Sequence, residues 1–139
     1  MIFNKEDKFL LVKIYKSYLK DFDVHNRDQI AELFKNIFMK IKEKYNLSGL
    51  FDVDVYVNND YGMIIEINNL CFYKNEFDVK IRFYLDCIFL CEIDSIDLLD
   101  YENIYYYEER FYGIYNEYCD KEIIYKDTSD IIDNGIKVC

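Results

Sequence analysis

Apolar side chains recur every three or four positions through residues 26–45, NRDQIAELFKNIFMKIKEKY. Ile30, Leu33, Phe34, Ile37, Phe38, Ile41 and Tyr45 fall on one face of a helix with about 3.6 residues per turn. Glu32, Lys35, Asn36, Lys40, Lys42 and Glu43 occupy the other face. Asn26 is placed to cap the first turn, and Gln29 to reach back and complete a capping box. Asp28 suits the positive end of the helix dipole, and Lys40, Lys42 and Lys44 suit the negative end. The run NLSG at 46–49 stops the helix.

Elsewhere the period drops to two, the repeat of a half-buried strand. Residues 9–19 read as a first strand. In residues 51–57, Val53, Val55 and Val57 face one way, and Asp52, Asp54 and Tyr56 the other. NNDYG at 58–62 is a hairpin loop rich in residues that accept positive φ, and 63–67 returns from it. Residues 77–84 and 87–93 predict another strand pair, and Asp94 caps a short helix ending at Leu99. Residues 103–107 and 111–115 form a hairpin around Glu108, Glu109 and Arg110, with a short strand at 122–125. A helical stretch at 128–133 then ends at Asn134 and Gly135, before a terminal strand at 136–138.

This pattern predicts an α+β fold: one long amphipathic helix packed on a mostly antiparallel sheet. The order β-α-β-β at 9–67 recurs in smaller form at 87–115, so two such units are a candidate internal repeat. A length of 139 residues without a Pro/Gly/Ser-rich linker points to a single domain over 1–139.

Charge divides the chain. Residues 1–50 hold 10 basic and 7 acidic side chains; residues 51–139 hold 7 basic and 20 acidic. An acidic second half disfavours direct nucleic-acid binding, which needs clustered Lys and Arg. It suits a basic protein partner, or simply keeps the surface solvated. The richness in Ile, Asn, Lys, Tyr and Phe resembles translation from an AT-rich genome, which tempers any functional reading of 15 tyrosines and 11 phenylalanines.

Cysteines stand at 71, 87, 91, 119 and 139. Their odd number, and the absence of a long apolar run near the N-terminus, point to reduced thiols in the cytoplasm and to no membrane segment. Cys87 and Cys91 lie too far apart on a strand to share a tetrahedral metal, and read as buried free thiols. Cys71, Cys119 and Cys139 show no paired spacing.

Motifs for catalysis are missing. No serine lies in G-x-S-x-G, no G-x-G-x-x-G or Walker loop occurs, and the one histidine, His25, reads as a surface residue beside the helix cap. Glu92, Asp94 and Asp97 could hold a divalent cation, or cap a helix on a solvated edge. Asp52 and Asp54 share a strand face, the wet side of a half-buried strand. No cofactor and no resident metal are expected. The most distinctive surface candidate is the hairpin IYYYEERFYGIY. Tyr105, Tyr107, Phe111 and Tyr115, with Glu108 and Glu109 at its turn, form a candidate partner surface.

At this hairpin the run CIFLCEIDSIDLLDYENIYYYEERFYGIY, residues 87–115, resembles the C-terminal domain of the MecA adaptor family. The shared pattern is a strand, an acidic helix start, a helix, and two aromatic strands around a short charged turn. The helix here is shorter than the family's, and the family's N-terminal substrate-binding domain is not evident. The resemblance implies an acidic bacterial cytoplasmic protein that delivers other proteins to a Clp-type unfoldase. The expectation is therefore a non-catalytic adaptor or regulatory module acting by protein–protein contact. Two alternatives remain open: a nucleic-acid mimic that inhibits a DNA-binding protein, and a carboxylate-based metal enzyme.

Overall fold

The long helix expected from the apolar repeat is α1, Arg27–Tyr45, in a computed structural model of the chain. The structure describes residues 2–6, 9–19, 23–45, 50–71, 78–94, 101 and 103–138. Asn26 caps α1, its Oδ1 accepting the Gln29 N–H at 3.1 Å. Gln29 does not close a reciprocal box. Its Oε1 instead accepts the Asp23 N–H at 3.0 Å, while the Asn26 N–H goes to the Asp23 carbonyl at 3.2 Å. The cap is thus built into the preceding turn. His25 stands exposed in that turn, with Nε2 3.9 Å from Asp86 Oδ2.

The chain divides into two compact units, Met1–Asp86 and Cys87–Cys139, where the sequence pattern suggested one domain. In the N-terminal unit a five-stranded sheet takes the order β1-β2-β4-β3-β5. Its strands are β1 (Ile2–Glu6), β2 (Phe9–Tyr15), β3 (Leu50–Asn58), β4 (Gly62–Cys71) and β5 (Asp78–Tyr84). The strand expected over 9–19 ends at Tyr15 and continues as a 3-10 turn, Lys16–Tyr18. β1 has no counterpart in the sequence pattern. All pairings are antiparallel except β3 with β5, which is parallel.

Period-two alternation sends Leu10, Val12 and Ile14 of β2, Phe51, Val53, Val55 and Val57 of β3, and Met63, Ile65 and Ile67 of β4 to one face. There they form a single buried cluster with Ile30, Phe34, Phe38 and Ile41 of α1. Phe34 lies 5.4 Å from Phe38 and 5.6 Å from Phe83, ring centroid to centroid. At the β3–β4 hairpin, Asn58 Oδ1 accepts the N–H groups of Asp60 and Tyr61, each at 2.9 Å. Gly62 follows at φ 123°, and a Cβ there would run into the Ile14 carbonyl. A glycine is required at that close approach of two strands.

In the C-terminal unit a second five-stranded sheet takes the order β10-β7-β8-β6-β9, antiparallel throughout. Its strands are β6 (Leu90–Ile93), β7 (Ile104–Tyr107), β8 (Arg110–Ile114), β9 (Ile123–Ile124) and β10 (Ile136–Lys137), and α2 is Thr128–Asn134. The strand pair expected between 77–84 and 87–93 does not form, because β5 and β6 belong to different sheets. The expected helix after Asp94 lies outside the described residues.

Both faces of this sheet are packed. Cys91, Ile93, Tyr101 and Ile104 cluster on one face, and Leu90, Tyr112 and Ile131 on the other. Cys91, expected as a buried free thiol, is buried but joined by a disulfide to Cys119. Local spacing holds no hint of it: the two are 28 residues apart in sequence, and the antiparallel returns of the sheet bring their Cα atoms to 6.0 Å. Cys87 is free. The architecture is α+β, with two helices and two mostly antiparallel sheets among the described residues. No described helix is long and apolar enough to cross a membrane.

Candidate functional site

The β7–β8 hairpin is made by two aromatic strands that pair Ile104 with Gly113, Tyr105 with Tyr112, Tyr106 with Phe111 and Tyr107 with Arg110. Arg110, expected in the turn, is therefore the first residue of β8, and the turn is only Glu108 and Glu109. A two-residue hairpin whose central residues both have positive φ matches the right-handed twist of the strands, and Asn-Gly is the residue pair that adopts it at least cost. Here Glu108 sits at φ 48° and Glu109 at φ 66°. Two adjacent exposed carboxylates thus occupy a conformation that side chains with a Cβ resist by about 1 kcal/mol or more each.

Strand alternation separates the aromatic side chains of the hairpin. Tyr105 and Tyr107 pack half-buried against Leu90, Tyr112 and Ile131. Phe111 packs half-buried on the opposite cluster with Cys91 and Ile93, its ring 5.1 Å from that of Tyr106. Tyr115 lies just past β8, half-buried, and its N–H donates to the Phe89 carbonyl at 2.8 Å. The four expected aromatic contacts are therefore divided between two faces. The part of the hairpin most open to solvent is the Glu108 and Glu109 tip with Arg110 beside it. The charge of Glu108 raises the Tyr107 phenol above its ordinary pKa of 10.0, with partial burial adding to the effect.

Near the tip of the hairpin, on its β6 side, a cleft of about 410 Å³ opens beside β9. Glu92 of β6, Arg110 of β8 and the segment 121–126 line it. Ile124 gives it an apolar contact on the Leu90 face of the sheet, and Tyr125 stands 6.3 Å from the buried ring of Phe89. Arg110 Nη1 lies 3.5 Å from Glu92 Oε2, a long contact. Lys121 Nζ meets Asp94 Oδ1 at 2.7 Å, and that hydrogen bond raises the ammonium above its usual pKa. Lys126 holds its Nζ 5.9 Å from the Tyr125 ring centroid. Residues 87–139 contain four cations, Arg110, Lys121, Lys126 and Lys137, and three of them line this one cleft. In the sequence only the flanking lysines of KEIIYK hold a trace of this grouping.

The carboxylates considered for a metal are otherwise engaged. Glu92 faces Arg110 and Asp94 faces Lys121, while Asp97 lies outside the described residues. Among the described residues no three His, Cys, Asp or Glu side chains are placed to hold a metal ion. In the N-terminal unit Asp52 and Asp54 share a face as expected, and Arg82 clamps both. Its Nε bonds Asp54 Oδ1 at 2.7 Å and its Nη2 bonds Asp52 Oδ2 at 2.9 Å. Those bonds, to Asp54 first, hold the guanidinium firmly in its charged form. Asp52 Oδ1 is shielded from solvent and accepts no well-aligned hydrogen bond, although Arg82 Nη2 is 2.8 Å away.

Compared with family models, with curated proteins and with solved structures, the chain matches none.

Proposed function

We propose that the protein acts without catalysis, as an adaptor or regulatory module that docks a basic protein partner on the tip of the β7–β8 hairpin. The observation that carries this reading is the turn itself. Glu108 and Glu109 both hold left-handed backbone at an exposed tip where Asn-Gly would relieve the strain. Local strain that folding does not need is characteristic of positions retained for contact. The resemblance of residues 87–115 to the MecA C-terminal domain points the same way, toward delivery of other proteins to an unfoldase.

Two variants test it by co-purification from the native host. Glu108→Gln with Glu109→Gln removes the charge, and Glu108→Asn with Glu109→Gly removes both charge and strain. Each is expected to lose the partner while remaining folded, and raised salt is expected to weaken capture by the wild type. Capture of the same partner by both variants would refute the docking role of the tip.

A second reading is favoured by charge: residues 87–139 carry 13 acidic and four basic side chains. An acidic mimic of nucleic acid would capture a DNA-binding protein, and added duplex DNA would displace it.

A cytoplasmic location goes with the adaptor reading, and the disulfide of Cys91 with Cys119 sets its terms, because a reducing cytosol opens most such bonds. Alkylation of thiols at the moment of cell lysis decides between them. Labelled Cys119 would fit the cytoplasm, and protected Cys119 an oxidising compartment.

A further inference from the structure

We propose that the cleft beside β9 binds a small zwitterion of the α-amino-acid class with an apolar side chain. Three features of the cleft specify that chemistry independently of the docking role of the hairpin tip. The first is a cation with capacity to spare. Among the described residues the guanidinium of Arg110 makes only the 3.5 Å contact with Glu92, and its side chain is 62% exposed. A planar fork of five N–H donors with one long contact is ready for bidentate pairing with a carboxylate. The second is an acceptor of the opposite sign. Glu122 lines the same cleft and has no ion-pair or hydrogen-bond partner among the described residues. Glu92 adds a second carboxylate. The third is apolar: Ile124, half-buried, lies on the sheet face that Leu90, Glu92 and Arg110 share.

A plain anion would meet Glu92 and Glu122, and a plain cation would meet Arg110, Lys121 and Lys126. Only a ligand bearing both charges satisfies both sets at once. Its carboxylate displaces Glu92 from Arg110, its ammonium takes the freed Glu92 and Glu122, and its side chain covers Ile124. The volume of about 410 Å³ lies within the range of small-molecule sites and exceeds that of a free amino acid, so a dipeptide also fits. The surroundings sharpen the selection. Outside this cleft the unit is overwhelmingly acidic, so a carboxylate is repelled everywhere but here.

Amide chemical shifts of residues 121–126 in the full chain, titrated with L-leucine up to ~10 mM, test the proposal. Leucinamide, which lacks the carboxylate, and 4-methylpentanoate, which lacks the amine, serve as comparisons. Leucine is expected to shift these amides saturably, and each analogue to bind about tenfold or more weakly. Arg110→Gln and Glu122→Gln are each expected to cost a similar factor while the remaining amide spectrum stays unchanged. Equal binding of either analogue, binding that survives Arg110→Gln, or no saturable shift with leucine would each overturn the assignment. A variant whose whole spectrum collapses is replaced by Arg110→Lys, which retains charge but loses bidentate geometry and is still expected to weaken binding.

Discussion

The two units solve the same problem with different means. The N-terminal unit lays a 19-residue amphipathic helix across one face of its sheet, and a single cluster of aliphatic and aromatic side chains fills the space between them. The C-terminal unit has a seven-residue helix, and its buried side chains are divided between the two faces of the sheet. Among the described residues each cluster is small, and the unit, at about 50 residues, is near the size at which burial alone barely offsets chain entropy. It is here that the disulfide occurs, tying β6 to the segment after β8 and closing a loop that contains the whole hairpin. The difference teaches that apolar burial supports the first unit and that a covalent link supplements it in the second.

The largest expected effect strikes the first unit. Phe34 is almost wholly buried between Phe38 and Phe83. Phe34→Ala should destabilise that unit by about 3–5 kcal/mol, through lost transfer energy and the cavity left behind. Amide hydrogen exchange resolves the loss by position. Protection should fall in β3 and β4 and persist in β6 and β8. Equal loss in both would mean that the two units unfold as one, and the contrast between them would fail.

The second effect strikes the other unit. A cross-link between residues 28 apart restricts the unfolded chain by roughly 3–4 kcal/mol on the loop-entropy scale. Reduction, or Cys119→Ser, should remove that much from the C-terminal unit and leave exchange in β3 and β4 unchanged. If reduction leaves β6 and β8 fully protected, the unit holds itself by burial after all.

What could be read from the sequence follows the range over which each feature is specified. α1 was legible because its period, its Asn26 cap and its terminal lysines all lie within one segment. β3 and β4 were legible because alternation and a polar loop define a hairpin locally. The parallel pairing of β3 with β5 was not, since it joins strands with β4 between them and leaves no mark in either. The disulfide was missed for the same reason, because an odd cysteine count and unpaired spacing carry no information about approach in space. For the site, the sequence located the aromatic hairpin but not its consequence. Alternation puts Tyr105 and Tyr107 on one face and Phe111 on the other, and moving Arg110 from turn to strand leaves two glutamates to form the tip. The cleft was harder still, since Glu92, Arg110 and residues 121–126 meet only once three strands are aligned.

The third effect is a gain. Glu108→Asn with Glu109→Gly places the preferred residues in the turn and removes two adjacent like charges. The C-terminal unit should become more stable by about 1–2 kcal/mol, seen as a higher midpoint in urea with unchanged slope. Lower stability would mean that the glutamates hold the turn through contacts of their own, and the strain argument for docking would lose its basis.

The smallest effect is set by pH and again separates the units. Tyr107 and Lys121 both lie in the C-terminal unit, and both have folded pKa values raised above their ordinary values, Tyr107 chiefly by the charge of Glu108 and Lys121 chiefly by its hydrogen bond to Asp94. A raised folded pKa means that the protonated form is favoured on folding. Its contribution is complete below the unfolded value and is lost as pH rises through the folded one. For Tyr107 the unfolded value is 10.0, so the loss begins above that point. In the N-terminal unit Arg82 is held charged by Asp54 and Asp52 far beyond this range, and loses nothing there. Alkaline weakening should therefore appear first in the C-terminal unit. Absorbance of ionised tyrosine measures the underlying shift. Tyr107→Phe should remove one late-titrating phenol, and Glu108→Gln should bring that phenol back toward its ordinary pKa. Were Glu108→Gln to leave the titration unchanged, the charge at the hairpin tip would not reach Tyr107, and the electrostatic contrast between the two units would rest on Lys121 alone.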